Sequence, residues 1–161
     1  MKLFQLTPDF PVRIQRSIAT GEGQIRVGMD LVQIERIQQS IDQFGDRFLH
    51  RVFTSDEVHY AQLAHGQVAE RLAARFAAKE ATLKALALAN CGVAWREMEV
   101  CRAEDGQCTL KLHGKAQLLA REAGVEQTLL SLSHDGGYAG AFLVAIFRRP
   151  ESMPSGVQEH L

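Results

Sequence analysis

Apolar residues, strand-like at first and then at helical spacing, divide the middle of this chain into elements. Ile25-Arg26-Val27-Gly28-Met29-Asp30-Leu31-Val32 reads as a short strand with a carboxylate near its end. Ile34, Ile37 and Ile41 then recur at helical spacing, which predicts a helix over about residues 33–43, stopped by Gly45. Thr54-Ser55-Asp56-Glu57 is a helix start: Thr54 can cap and Glu57 can answer in a capping box. A helix over about residues 55–64 follows, then a longer one from about 68 to 88, ended by Asn90 and Gly92. Glu97–Arg102 and Gln107–His113 read as two strands joined at Asp105-Gly106. Lys115–Glu122 looks helical, with Gly124 as its stop, and two further strands, Thr128–His134 and Tyr138–Phe147, flank Asp135-Gly136-Gly137. Helices first and antiparallel strands later point to an α+β fold. Residues 1–24, broken by Pro8, Pro11, Gly21 and Gly23, read as an irregular N-terminal extension, and residues 148–161 as a loose tail.

The long helix departs from a plain core pattern. With Leu72 at zero and about 100° per residue, Phe76, Leu83 and Leu86 fall at ~40°, ~20° and ~−40°, an apolar stripe. Lys79 lands at ~−20°, inside the stripe, and Glu80 and Lys84 border it at ~80° and ~120°. Charges beside a core are costly unless partnered. A surface Lys–Glu pair, or a lysine that snorkels out, accounts for this helix as well as a ligand site does.

Composition narrows the classes. The chain has 161 residues, enough for one ordinary core, and is 46% hydrophobic and 23% charged, as in soluble globular proteins. A formal net charge of −1 argues against bulk nucleic-acid binding, and no apolar run reaches membrane-spanning length. No basic segment leads into an apolar run near the N-terminus. Cys91, Cys101 and Cys108 lack C-x-x-C spacing and read as reduced thiols, so a cytoplasmic location is expected. The histidines show no metal-binding spacing, and neither a phosphate-cradling glycine loop nor a G-x-S-x-G elbow is present. Two hard carboxylates, Asp30 and Glu80, on separate elements suit Mg²⁺, with phosphate oxygens and waters completing its shell.

Four linked segments carry a resemblance to the holo-acyl-carrier-protein synthases, which are 4′-phosphopantetheinyl transferases. They are Val27–Val32 with Ile34-Glu35-Arg36-Ile37; Phe48, Arg51, Val52, Phe53, Thr54 and Glu57; Arg75-Phe76-Ala77-Ala78-Lys79-Glu80-Ala81 with Lys84; and Ser131-Leu132-Ser133-His134 with Tyr138-Ala139. The resemblance spans residues 25–147 and implies one domain there: an antiparallel sheet packed on a long central helix, assembled as a homotrimer with sites between subunits. It implies transfer of phosphopantetheine from coenzyme A to a serine of an apo acyl carrier protein, with release of 3′,5′-ADP.

By that resemblance Asp30 and Glu80 hold Mg²⁺, Lys84 meets the diphosphate and leaving group, and Glu80 or a metal-bound water it orients takes the serine proton. Arg75, Lys79, Lys84 and His134 are carried over to coenzyme A; Lys79, deepest in the stripe, is expected to be paired either to substrate or to protein, and for His134 a hydrogen-bonded hairpin role is the alternative. Arg36, Arg47, Phe48 and Arg51 are carried over to docking of an acidic carrier protein. Relatives often have a proline where this chain has Cys108, which alters the nucleotide contacts there. The extra terminal segments leave open whether the carrier serves fatty-acid or polyketide synthesis. The rival readings are an inactive carrier-binding or trimerisation module of the same fold, and a different Mg²⁺-dependent phosphotransferase.

Overall fold

The computed structural model describes residues 24–64 and 66–148, so the extension and tail expected at the termini lie outside it except for Gln24 and Arg148. Strand β1 (Ile25–Gln33) leads into helices α1 (Ile34–Phe44), α2 (Asp46–Val52), α3 (Ser55–Gln62) and α4 (Val68–Ala85). A 3-10 turn (Trp95–Glu97), β2 (Met98–Arg102), β3 (Cys108–Leu112), α5 (Gly114–Glu122), β4 (Val125–Asp135) and β5 (Tyr138–Phe147) complete an α+β architecture. One antiparallel sheet has the order β1-β5-β4, and β2 pairs with β3 in a second. The β4–β5 turn uses Gly136 and Gly137, both with positive φ (55° and 83°), where a side chain would be strained.

Several boundaries differ from the pattern-based expectation, β4 among them, which starts at Val125, three residues before Thr128. The segment after Gly45 is helical: α2 buries Phe48, Leu49 and Val52 at helical spacing. The chain leaves α3 at Gln62 instead of 64. Helix α4 ends at Ala85 instead of 88, because Ala87 takes a left-handed φ of 56°. The N–H groups of Leu88 and Ala87 then donate to the carbonyls of Leu83 and Lys84 at 2.9 and 3.4 Å, a Schellman closure without its usual glycine. The predicted capping box is present: Thr54 Oγ1 accepts from Glu57 N–H at 3.3 Å, and Glu57 Oε2 accepts from Thr54 N–H at 2.9 Å.

Small side chains set the distance between α4 and the large sheet. Ala139, Ala141, Leu143 and Ala145 on β5 are buried beneath Ala73, Ala77, Ala78, Ala81 and Ala85 of the helix. Gly28 on β1 continues this close approach: a Cβ there would lie 1.9 Å from the Ala81 carbonyl oxygen. The inner face of β1 therefore carries Gly28, Asp30 and Val32, while Val27, Met29 and Leu31 point outward. Cross-strand pairing aligns Val27 with Val144 and Leu129, and Met29 with Phe142. The outer sheet face is thus apolar, with Met29 56% and Leu31 57% exposed.

Candidate active site

Helix geometry puts charged groups on both flanks of α4, on either side of its buried alanine stripe. Glu80 and Lys84 fall on one flank, over β1, and Arg71 and Arg75 on the other, at ~−100° and ~−60° in the same frame. Each flank meets a different edge of the sheet, whose order is β1-β5-β4.

On the β1 side, Lys84 Nζ donates to Asp30 Oδ1 at 2.7 Å and to the Met29 carbonyl at 3.1 Å. That leaves one ammonium N–H free for another acceptor. Burial raises the proton affinity of Asp30, opposed by Lys84. Burial likewise raises that of Glu80, and the nearby Asp30 carboxylate adds to it. Two half-buried carboxylates that repel each other, with Lys84 bonded to only one of them, retain affinity for positive charge. Among the described residues no third His, Cys, Asp or Glu joins them in a cluster. Two hard oxygen donors are a donor set that fits Mg²⁺, an ion that usually takes one or two protein carboxylates and fills the rest of its shell with substrate oxygens and waters.

On the β4 side a cavity of about 480 Å³ opens beside Arg71, Arg75, Arg102, Cys108 and His134. The guanidinium carbons of Arg75, Arg71 and Arg102 lie 4.1, 4.5 and 5.9 Å from the centroid of the Tyr60 ring. Arg71 donates to the Tyr60 carbonyl at 2.9 Å and Arg75 to the Arg71 carbonyl at 3.1 Å. Arg75 is buried, and its Nε has no hydrogen-bond partner. Burial works against its charged form, with Glu57 the strongest group opposing that effect. His134 is exposed, and its Nδ1 lies 3.5 Å from Glu70 Oε2.

Asp30, Glu80 and Lys84 thus come together, and Arg75 and His134 form a second group on the opposite flank. Lys79 joins neither. It is fully buried, and its ammonium donates to Glu57 Oε2 at 2.8 Å and to the carbonyls of Trp95 and Met98. Burial lowers its proton affinity, and the Glu57 carboxylate opposes that shift. With all three N–H donors committed inside the protein, Lys79 has none left for a phosphate, which corrects its assignment to the coenzyme. It instead ties α4 to α3 and β2 through Glu57, whose Oε1 accepts from Val100 N–H at 3.0 Å. Phe48 needs a similar correction: its ring is buried edge-on to Phe53 at 5.8 Å, so it cannot form part of a docking face. Arg47 and Arg51 are exposed one helical turn apart on α2, and Arg36 is half-buried on α1.

Tyr60, Arg71, Arg102 and Glu70 are absent from the sequence-derived set. One signal was available: Arg71 and Arg75 are like charges at i and i+4, a spacing that is unfavourable unless something offsets it. Tyr60 and Arg102 reach the cavity only through tertiary folding and leave no such mark.

Comparison with known proteins gives one consistent result. The sequence pattern of the 4′-phosphopantetheinyl transferase superfamily matches residues 26–143. A holo-[acyl-carrier-protein] synthase from Koribacter versatilis (strain Ellin345) is 45% identical over 118 residues, covering 73% of this chain and 94% of its own. One from Herpetosiphon aurantiacus is 44% identical, covering 74% and 96%. Among solved structures, the ACPS–CoA complex of Chronobacterium ammoniagenes superposes with a TM-score of 0.69 at 33% identity, covering 78% of this chain and 98% of that one. The chain belongs to the 4′-phosphopantetheinyl transferase superfamily.

Proposed function

We propose that this protein is a holo-acyl-carrier-protein synthase, transferring 4′-phosphopantetheine from coenzyme A to a serine hydroxyl of an apo acyl carrier protein. The observation that carries this reading is the pairing of Asp30 with Glu80 beside Lys84 in a chain whose relatives bear that name. In the reaction the serine oxygen forms a bond to the β-phosphorus of the coenzyme, the bridging P–O bond breaks, and 3′,5′-ADP leaves. Little covalent work falls to the protein, so positioning and charge stabilisation dominate.

Asp30 and Glu80 would hold Mg²⁺, which, when bound, supplies charge neutralisation on the diphosphate oxygens. Lys84 offers its remaining N–H to the same oxygens while Asp30 and the Met29 carbonyl keep it in place. Glu80 takes the serine proton as general base. The coenzyme has a second anionic centre, its 3′-phosphate, and the arginine cavity suits it. Arg47 and Arg51, with Arg36, face the acidic carrier protein.

The two flanks of α4 support a homotrimer. One molecule of coenzyme A reaches an Asp30–Glu80 flank and an arginine flank together when the two belong to neighbouring chains. The apolar outer sheet face, with Ile25, Met29, Leu31, Leu129 and Phe142 exposed, supports the same assembly as a surface for a neighbouring chain to cover. With Mg²⁺ and coenzyme A, the purified protein is expected to add the mass of phosphopantetheine to an apo carrier. A panel of fatty-acid and polyketide carriers, read by mass spectrometry, also identifies the partner; no addition to any of them overturns the reading. Light scattering is expected to give a three-chain mass. Co-expressed Glu80→Gln and Arg71→Ala chains, each inactive alone, are expected to recover measurable transfer; a monomeric mass and no recovery would rule out shared sites.

A further inference from the structure

The arginine cavity is built in an unusual way. Clustered guanidinium groups are commonly steadied by carboxylates, and each such bond uses donors that an incoming anion also needs. Among the described residues none of Arg71, Arg75 and Arg102 forms an ion pair with a carboxylate. Glu70, which lines the same cavity, is engaged with His134. Glu57 bonds to Lys79, Thr54 and Val100. What the three arginines share is the ring of Tyr60, at 4.1 to 5.9 Å. A cation over an aromatic ring is held by the electron-rich face and gives up none of its in-plane N–H donors. Each guanidinium has five such donors. Arg75 and Arg71 each spend one on a backbone carbonyl, and the Nε of Arg75 is buried with no partner.

We propose that Tyr60, by stacking with Arg71, Arg75 and Arg102 at the wall of this cavity, is a positioning residue that sets the enzyme's preference for a coenzyme carrying a 3′-phosphate. This rests on the transferase reading above. Tyr60 offsets the mutual repulsion of the three cations in the empty cavity and keeps their donors free. A dianionic phosphate then meets a preassembled group and need not displace an acid from it. The ring face does this, and the phenolic hydroxyl contributes nothing to it.

The test compares Tyr60→Phe, which keeps the ring, with Tyr60→Leu, which keeps only apolar bulk. KM and kcat are measured for coenzyme A and for 3′-dephospho-coenzyme A, and binding of 3′,5′-ADP is compared with that of 5′-AMP, which lacks only the 3′-phosphate. Tyr60→Phe is expected to stay within about twofold of the parent in every value. Tyr60→Leu is expected to raise KM for coenzyme A about tenfold, with kcat little changed and KM for the dephospho form moved by less than about twofold. Its preference for 3′,5′-ADP over 5′-AMP falls by the same factor. Equal weakening towards both coenzymes means Tyr60 merely supports the fold, and unchanged values mean the ring does nothing; either overturns the proposal. A parent that transfers phosphopantetheine yet binds both nucleotides equally also overturns it. A parent that transfers nothing overturns the transferase reading instead.

Discussion

Gly28→Ala is expected to unseat strand β1 and to lower the melting temperature by roughly 6–12 °C, the shift for a loss of about 3 kcal/mol in a chain of this length. The added Cβ would lie 1.9 Å from the Ala81 carbonyl oxygen, 2.9 Å from its carbon and 3.0 Å from the Ala85 nitrogen. All three are backbone atoms of α4, so no side chain can swing aside. The strand has to lift, and it carries Asp30 away from Glu80 and Lys84 as it does. Transfer activity in the fraction that folds is therefore expected to fall further than stability alone accounts for. Thermal melts and single-temperature turnover on the same preparation check this, and a melt within a degree of the parent would contradict so close a packing.

The second large effect separates chemistry from stability. Glu80→Gln is expected to reduce transfer at least about 100-fold, the scale seen when a group that stabilises transition-state charge is removed. The fold should survive, because Glu80 is only half-buried at the edge of the sheet. The sign of the stability change follows from the raised proton affinity of Glu80. An acid whose folded value lies above its unfolded one destabilises the metal-free fold at any pH well above its ordinary value, neutral pH included. That cost disappears as pH falls through the raised value towards 4.5, its ordinary one. Without divalent cations, Glu80→Gln is thus expected to melt at or above the parent at pH 7, and the difference should close as pH falls. A variant that melts lower at neutral pH and stays lower in acid would contradict a strained carboxylate pair.

Much of this molecule was legible in the order of its residues, for physical reasons. The Thr54–Glu57 capping box and the Asp135-Gly136-Gly137 hairpin are local devices, and local chemistry suffices to read them. Glu80 and Lys84 stood out in the sequence as charges on the border of an apolar stripe, and Asp30 as a carboxylate near the end of a strand. Other features depended on distant partners or on unusual backbone. Ala87 closes α4 in a conformation that glycine ordinarily takes, so the pattern ran on to about residue 88. Lys79 could be recognised as paired, but its partner Glu57 is 22 residues away on another helix, and the coenzyme was the wrong choice. Phe48 was read with the arginines around it, whereas α2 turns its ring into the core. Tyr60 looks like any half-buried helix residue until three arginines from two other elements converge on it.

Strand order also fixes when each half of the site can come into being. β1 is among the first elements made, yet the strand it pairs with, β5, is the last: Ile25 lies opposite Ile146 and Gln33 opposite Tyr138. Pairings across such separations are slow to form, and here they must wait until nearly the whole domain has left the ribosome. Throughout synthesis the apolar side chains of Val27, Met29 and Leu31 sit on a strand with nothing beside it. The nascent chain therefore exposes a sticky edge for almost its entire translation, and Asp30 has no fixed place until the final strand arrives. Truncation within β5 should consequently yield insoluble protein rather than a shortened enzyme.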